Sequence, residues 1–220
     1  MEITNLFKSI IYNTLTQYWY IWIIIILIFI IISAAKIFIP RITKKFDRSF
    51  SGFVGEKRVA SILSGLDPKK YKIINNLTIY IDKESAQIDH LIISNFGIFI
   101  IETKNFEGII LGEETSNYWT QVLYKNQVLY KNRENFYNPI KQNNWHIQAL
   151  ENILKNYSGI LYFPIVVFTK SSDLRVKTIT DVVNTDDLVK TIRQHRTEII
   201  SDIDRDNIYS YLKNIKFKNN

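Results

Sequence analysis

No charged residue lies between Lys8 and Lys36, and Trp19–Ile32 reads WYIWIIIILIFIII with no polar break beyond its aromatic tips. Crossing ~30 Å of hydrocarbon at ~1.5 Å per residue takes about 20 helical residues. The stretch Tyr18–Ile39 is long enough to do this, with Lys36 near one end where it can snorkel to the interface. Tyr18, Trp19, Tyr20 and Trp22 form an aromatic belt at the other end. A buried core helix is the alternative, but such a helix seldom runs this far without a polar face. The expectation is a transmembrane helix over residues 18–39.

The flanks set its orientation. Only Glu2 and Lys8 precede the span, whereas Lys36, Arg41, Lys44, Lys45 and Arg48 follow it, offset by Asp47. The excess of positive charge places the C-terminal side in the cytoplasm and residues 1–17 outside as a short extracytoplasmic segment. Ser33-Ala34-Ala35 is a small-x-small triplet that a signal peptidase could use. The weakly charged start and the basic cluster after the span oppose export and cleavage.

The chain has 28 Lys+Arg against 21 Asp+Glu, a net charge of +7 over 220 residues. Glu2 and Lys8 cancel, so all of the excess belongs to residues 36–220. Anionic lipid near Lys36, Arg41, Lys44 and Lys45 accounts for part of it, and an anionic partner of the soluble part would account for more. With no cysteine, disulfide frameworks, thiolate zinc sites and cysteine nucleophiles are excluded. A hydrophobic content of 46% excludes a disordered chain.

Pro40 is expected to end the span, leaving residues 40–50 as a basic juxtamembrane linker. A helix follows from Ser51, a possible N-cap, to about Ser64, before Gly65 and Asp67-Pro68 stop it. Tyr71–Ile81 reads as a strand. Ala86–Ser94 and Gly97–Asn105 read as two apolar strands joined by a tight turn at Asn95-Phe96. Trp119–Tyr124 and Gln127–Tyr130 suggest a further hairpin. Here QVLYKN occurs twice in tandem, at Gln121–Asn126 and Gln127–Asn132, too few copies for a solenoid. Asn138-Pro139 is a helix start, cap then proline, for a helix to about Asn156. A buried strand at Leu161–Thr169, a short strand at Lys177–Val183 and helices at Asp186–Gln194 and Asp204–Asn214 complete one domain over residues 51–216. This order is α/β, with a mixed sheet flanked by helices.

The segment AQIDHLIISNFGIFIIETKN carries the chemistry. With Asn95-Phe96 as a two-residue loop, Ile93 faces Ile98, Leu91 faces Ile100, Asp89 faces Glu102 and Gln87 faces Lys104, all on one face. Two carboxylates about 5 Å apart repel unless one is protonated or a cation lies between them. Mg²⁺, which takes oxygen ligands and meets phosphate oxygens, is a natural occupant, as is Mn²⁺. Thr103 could add its backbone carbonyl, and Lys104 could orient a metal-bound water or neutralise a scissile phosphate. The plain alternative is a solvated cluster of Asp, Lys and Glu ion pairs, worth little.

Two helices bear on that choice. Glu56 shares a stripe with Val59, Ala60 and Leu63, so it is either a third acid at a metal site or a capping or snorkelling glutamate. Gln142, Trp145, His146 and Ala149 line one face of the later helix. Gln142 could hydrogen-bond a substrate phosphate or nucleobase, or satisfy a loop. His146 on that face is more often structural than a ligand.

GFVGEKRVASIL, QIDHLIIS, GIFIIETKN with its following Gly108, Trp119 and NPIKQNNWHIQAL resemble, in content and order, the NERD (nuclease-related) domain of the PD-(D/E)XK nuclease superfamily. The resemblance covers about Gly52–Val167. It implies a restriction-endonuclease-like α/β core, preceded here by the membrane helix, at the inner membrane face of a bacterial cell. It matches Asp89, Glu102 and Lys104 to the acidic and lysine positions, Glu56 to the acid of the first helix and Gln142 to the polar residue of the later helix. The implied function is Mg²⁺- or Mn²⁺-dependent cleavage of nucleic acid, DNA in the first place. The alternatives are a catalytically inactive nucleic-acid-binding module or a scaffold tethered to the membrane.

Overall fold

The computed structural model describes residues 2–81, 84–125, 128–170 and 172–218, with side chains described outside 2, 14–15, 22, 40–49, 124–132 and 216–218. The side chains of Arg41, Lys44 and Lys45, and the second copy of the QVLYKN repeat, lie outside the described set. The chain forms two compact units, Met1–Phe50 and Ser51–Asn220.

The first unit is helical, with α1 at Glu2–Gln17 and the start of α2, which spans Trp19–Leu63. Within it Trp19–Ile39, 21 residues, is long and apolar enough to cross a membrane, and none of it is buried inside the protein. The backbone stays helical past Pro40, where the sequence reading ends the helix, and past Ser51, read there as an N-cap. Proline forfeits one hydrogen bond, but its fixed φ is itself helical.

The second unit contains the end of α2 followed by β1 (Tyr71–Ile81), β2 (Glu84–Ser94), β3 (Gly97–Lys104), β4 (Gly108–Glu113), β5 (Tyr118–Lys125), β6 (Val128–Tyr137), α3 (Pro139–Ile153), β7 (Tyr162–Phe168), β8 (Ser172–Lys177), β9 (Asp181–Asn184), α4 (Thr185–Ile192) and α5 (Asp202–Lys218). It is α/β with mixed sheets flanked by helices. The strands divide between two sheets, ordered β1-β2-β3-β7-β9 and β6-β5-β4-β8. Two elements differ from expectation. The strand expected over Lys177–Val183 is two strands in different sheets, and β4, in the other sheet from β3, is a strand that the sequence reading leaves unassigned. Its start is Gly108, with φ of 87° and no room for a side chain: a Cβ there would stand 2.3 Å from the Val122 carbonyl oxygen.

The central strand β3 alternates its contacts. Ile98 and Ile100 join a core formed with Leu91, Ile93, Ala149, Leu150, Ile208 and Leu212, under α3 and α5. Phe99 and Ile101 join Val59, Leu63, Ile165, Leu188 and Ile192, under α2 and α4. Both faces of the sheet are therefore covered, which explains why β3 is apolar at successive positions until Glu102. The β2–β3 hairpin has the expected register, with Ile93↔Ile98 and Leu91↔Ile100.

Candidate active site

The polar end of β3 emerges where its two neighbours cease to match. Pairing with β2 stops at His90↔Ile101, while parallel pairing with β7 continues to Lys104↔Phe168. The expected rungs Asp89–Glu102 and Gln87–Lys104 are thus absent from the ladder, and Gln87 pairs outward with Thr78 of β1. Asp89 takes over part of the missing ladder. Its Oδ2 accepts from the Thr103 backbone N–H at 2.8 Å. Since N–H and C=O of a strand residue point to one edge, the Thr103 carbonyl faces the Asp89 side as well.

A kink in β1 lies across from Asp89. The register runs Asn75↔His90 and Leu77↔Ile88, and Asn76 between them has φ of 53°. Asparagine tolerates this left-handed conformation better than most residues. The alternation reverses across the kink: Ile74 and Leu77 of β1, and Leu91 and Ile88 of β2, all enter the same core.

Glu102 is 2% exposed. Its Oε1 accepts from Lys104 Nζ at 2.7 Å, and the same ammonium donates to Gln142 Oε1 at 3.1 Å. Its Oε2 has no hydrogen-bond partner and lies 3.9 Å from His146 Nδ1. Burial pushes the Glu102 carboxyl up to about 8; Lys104 opposes the rise, and Asp89 and Glu56 add to it. Burial also raises Asp89, against the pull of the Thr103 amide and Lys104. Glu56 is raised by burial first and by Asp89 second. The three carboxyls therefore share one electrostatic neighbourhood, in which the Lys104 ammonium acts on both Glu102 and Asp89. Among the described residues, no group of three or more His, Cys, Asp or Glu is arranged to hold a metal ion. His146 is lowered to about 4 by burial, with Lys104 adding, so its ring is neutral at pH 7.

Two helices present their side chains to this strand end. Gly55 lets α2 approach closely, since a Cβ there would stand 2.8 Å from Asn105 Cβ. Asn105 Nδ2 donates to the Ser51 backbone oxygen and to Ser51 Oγ, and Arg58 donates to the Thr169 carbonyl at 2.7 Å. These contacts set Glu56 beside Asp89. On the other face, α3 opens on Asn138, whose side chain accepts from Ile140 N–H and donates to the carbonyls of Glu114 and Ser116.

Asn143, which sequence reasoning passed over, is fully buried, and its Nδ2 donates to the carbonyls of Ile100 and Ile165. It pins α3 across the β3–β7 ladder. The buried stripe of α3 is Pro139, Ile140, Asn143, His146, Ala149 and Leu150. Trp145, expected on that face, is 36% exposed. The i, i+3, i+7 spacing of Asn143, His146 and Leu150 was the available signal for the shifted stripe.

The nuclease-related domain pattern matches residues 51–169. A Bacillus anthracis protein described as uncharacterized is 39% identical over 132 residues, covering 59% of each chain. The chain thus spans well under two thirds of that relative. No solved structure matches. The matched domain takes in more than half of the sequence and every residue of the carboxylate and lysine assembly, so the chain belongs to the nuclease-related domain (NERD) family.

Proposed function

We propose that this protein is a membrane-anchored nuclease that hydrolyses phosphodiester bonds, acting on DNA, with Mg²⁺ or Mn²⁺ as cofactor. The observation that carries the reading is the meeting of Asp89, Glu102, Lys104 and Gln142 at the polar end of β3, in a domain of nuclease-related sequence. The donor set suits a hard cation: the carboxylate oxygens of Asp89 and Glu102 and a carbonyl on the same edge. Asp89, Glu102 and the Thr103 carbonyl would hold the ion, with Glu56 assisting. Bound there, it would supply Lewis-acid polarisation of the phosphate and an acidified water.

The chain's own groups have separable tasks. Lys104 places positive charge beside Glu102, where it can orient the attacking water and offset charge on the phosphate. Gln142 holds the ammonium through Oε1, which leaves its amide nitrogen to donate to a phosphate or base. Trp19–Ile39 is the anchor, with the domain on the cytoplasmic side and Lys36, Arg41, Lys44 and Lys45 near anionic lipid.

A second reading, a catalytically inactive nucleic-acid-binding or scaffold module at the membrane, is favoured by the lack of a ready three-ligand group among the described residues. One assay separates them. The purified chain in detergent is incubated with plasmid, linear and single-stranded DNA and with RNA, with and without Mg²⁺ or Mn²⁺. Cation-dependent cleavage of DNA supports the nuclease; retention of nucleic acid without cleavage supports the binding module.

A further inference from the structure

His146 sits one turn along α3 from Gln142 and is 3% exposed. Its Nδ1 has no hydrogen-bond partner. The atom across from it, Glu102 Oε2 at 3.9 Å, has none either. Leaving a buried polar atom unpaired is destabilising, so two facing each other are a mutual solution awaiting a small shift. One is a carboxylate acceptor. The other is a donor in the imidazole tautomer that carries hydrogen on Nδ1, and less than about 1 Å of closure brings the pair to hydrogen-bond distance.

The other carboxylate oxygen is already engaged by Lys104. With only Oε1 tethered, the carboxylate can still turn about its terminal bond. A donor at Oε2 removes that freedom.

We propose that His146 is a positioning residue for Glu102: Nδ1–H donates to Oε2, locks the carboxylate plane and presents Oε1 to Lys104 and the cation. The proposal rests on the metal-dependent reading of the site. Outer partners of this kind are worth about 10–100-fold in metal affinity. A histidine that merely fills space would be replaced equally well by any polar side chain of similar size. A positioning histidine would not, because asparagine carries its amide nitrogen near the place of Nδ1 and glutamine carries it near Nε2.

The test uses the full chain in detergent. The chain has three histidines, so ¹⁵N-histidine labelling gives a small set of ring signals, assigned by substitution. At about pH 9, with the Glu102 carboxyl ionised, the metal-free protein should show His146 with hydrogen on Nδ1; hydrogen on Nε2 overturns the proposal. Calorimetric titration with Mn²⁺ should then give His146→Asn an affinity within about threefold of the parent and His146→Gln an affinity lower by about tenfold or more. Equal affinities for the two variants overturn it. Circular dichroism checks that both are folded, and if His146→Gln is not, the tautomer of the parent protein still decides. Failure of the parent to bind Mn²⁺ at all would count against the metal reading of the site, while the tautomer would still report on the His146–Glu102 pair.

Discussion

Lys104 Nζ stands 2.7 Å from Glu102 Oε1, two residues back along the same strand, and 3.1 Å from Gln142 Oε1 on the covering helix. Side chains at i and i+2 share a strand face, so one ammonium serves a carboxylate on the sheet and an amide on α3 together. Removing it leaves Glu102 buried beside two other carboxyls without its close counter-charge.

Lys104→Met keeps most of the aliphatic stem and deletes the charge. Cation-dependent plasmid nicking should fall by about 100-fold or more, with the far-ultraviolet circular dichroism unchanged. Asp89→Ala should have an equal effect. Nicking at the parental rate in either variant would remove that residue from the catalytic assignment.

Glu102 titrates at about 8 in the folded protein, against an ordinary 4.5. The folded state thus holds this proton more tightly than the unfolded one. Its contribution to stability is complete below about pH 4.5 and is lost as the pH climbs to about 8. Glu102→Gln abolishes that dependence. In chelator, the variant should melt above the parent at pH 8, by about 2–4 °C for each kcal/mol recovered, and the difference should close towards pH 4.5. Thermal melts at the two pH values measure it, and an unchanged difference between them would refute the assignment.

Gly55→Ala should place a methyl group against Asn105, which is held by Ser51 and Thr169 and has little room to retreat. Overpacking of this sort costs about 1–3 kcal/mol. Denaturant unfolding should record the loss, and nicking should drop as Glu56 is displaced from Asp89.

Asn143→Leu deletes two hydrogen bonds from α3 to the sheet and should destabilise the domain by about 1–3 kcal/mol. Trp145→Ala, two residues further along the helix and partly exposed, should cost less. Urea midpoints of the two variants in parallel will rank them, and the reverse order would show that Trp145, not Asn143, secures the helix.

A reporter fused to the C-terminus should be active in the cytoplasm. An external signal would reverse the proposed topology and make genomic DNA inaccessible as a substrate.

Sequence and structure agree best where the physics is local. The Asn138-Pro139 cap, the limits of β1 and the register of the β2–β3 hairpin follow from turn residues and alternation between near neighbours. The division into two sheets does not. It depends on parallel pairing of β4 with β8, beginning at Gly108↔Ser172, partners that no short-range pattern connects. The site shows the same split. Glu102 and Lys104 share a face by strand periodicity alone, but the reach of Asp89 to the Thr103 amide depends on the ladder ending early and on the left-handed Asn76 opposite. Asn143 was missed because an asparagine inside an apolar stripe reads as polar surface until the carbonyls beneath it are known.

The early end of the β2–β3 ladder has one more consequence, for hydrogen exchange. A central-strand amide is normally released only when the whole sheet opens. The Thr103 amide is held instead by a single carboxylate, so it can exchange whenever Asp89 swings away, while the fold around it stays intact. Its protection relative to Ile101, two residues back in the intact ladder, is therefore a gauge of Asp89 orientation built into the backbone. Any occupant that draws Asp89 towards itself would be registered there as faster exchange at one amide.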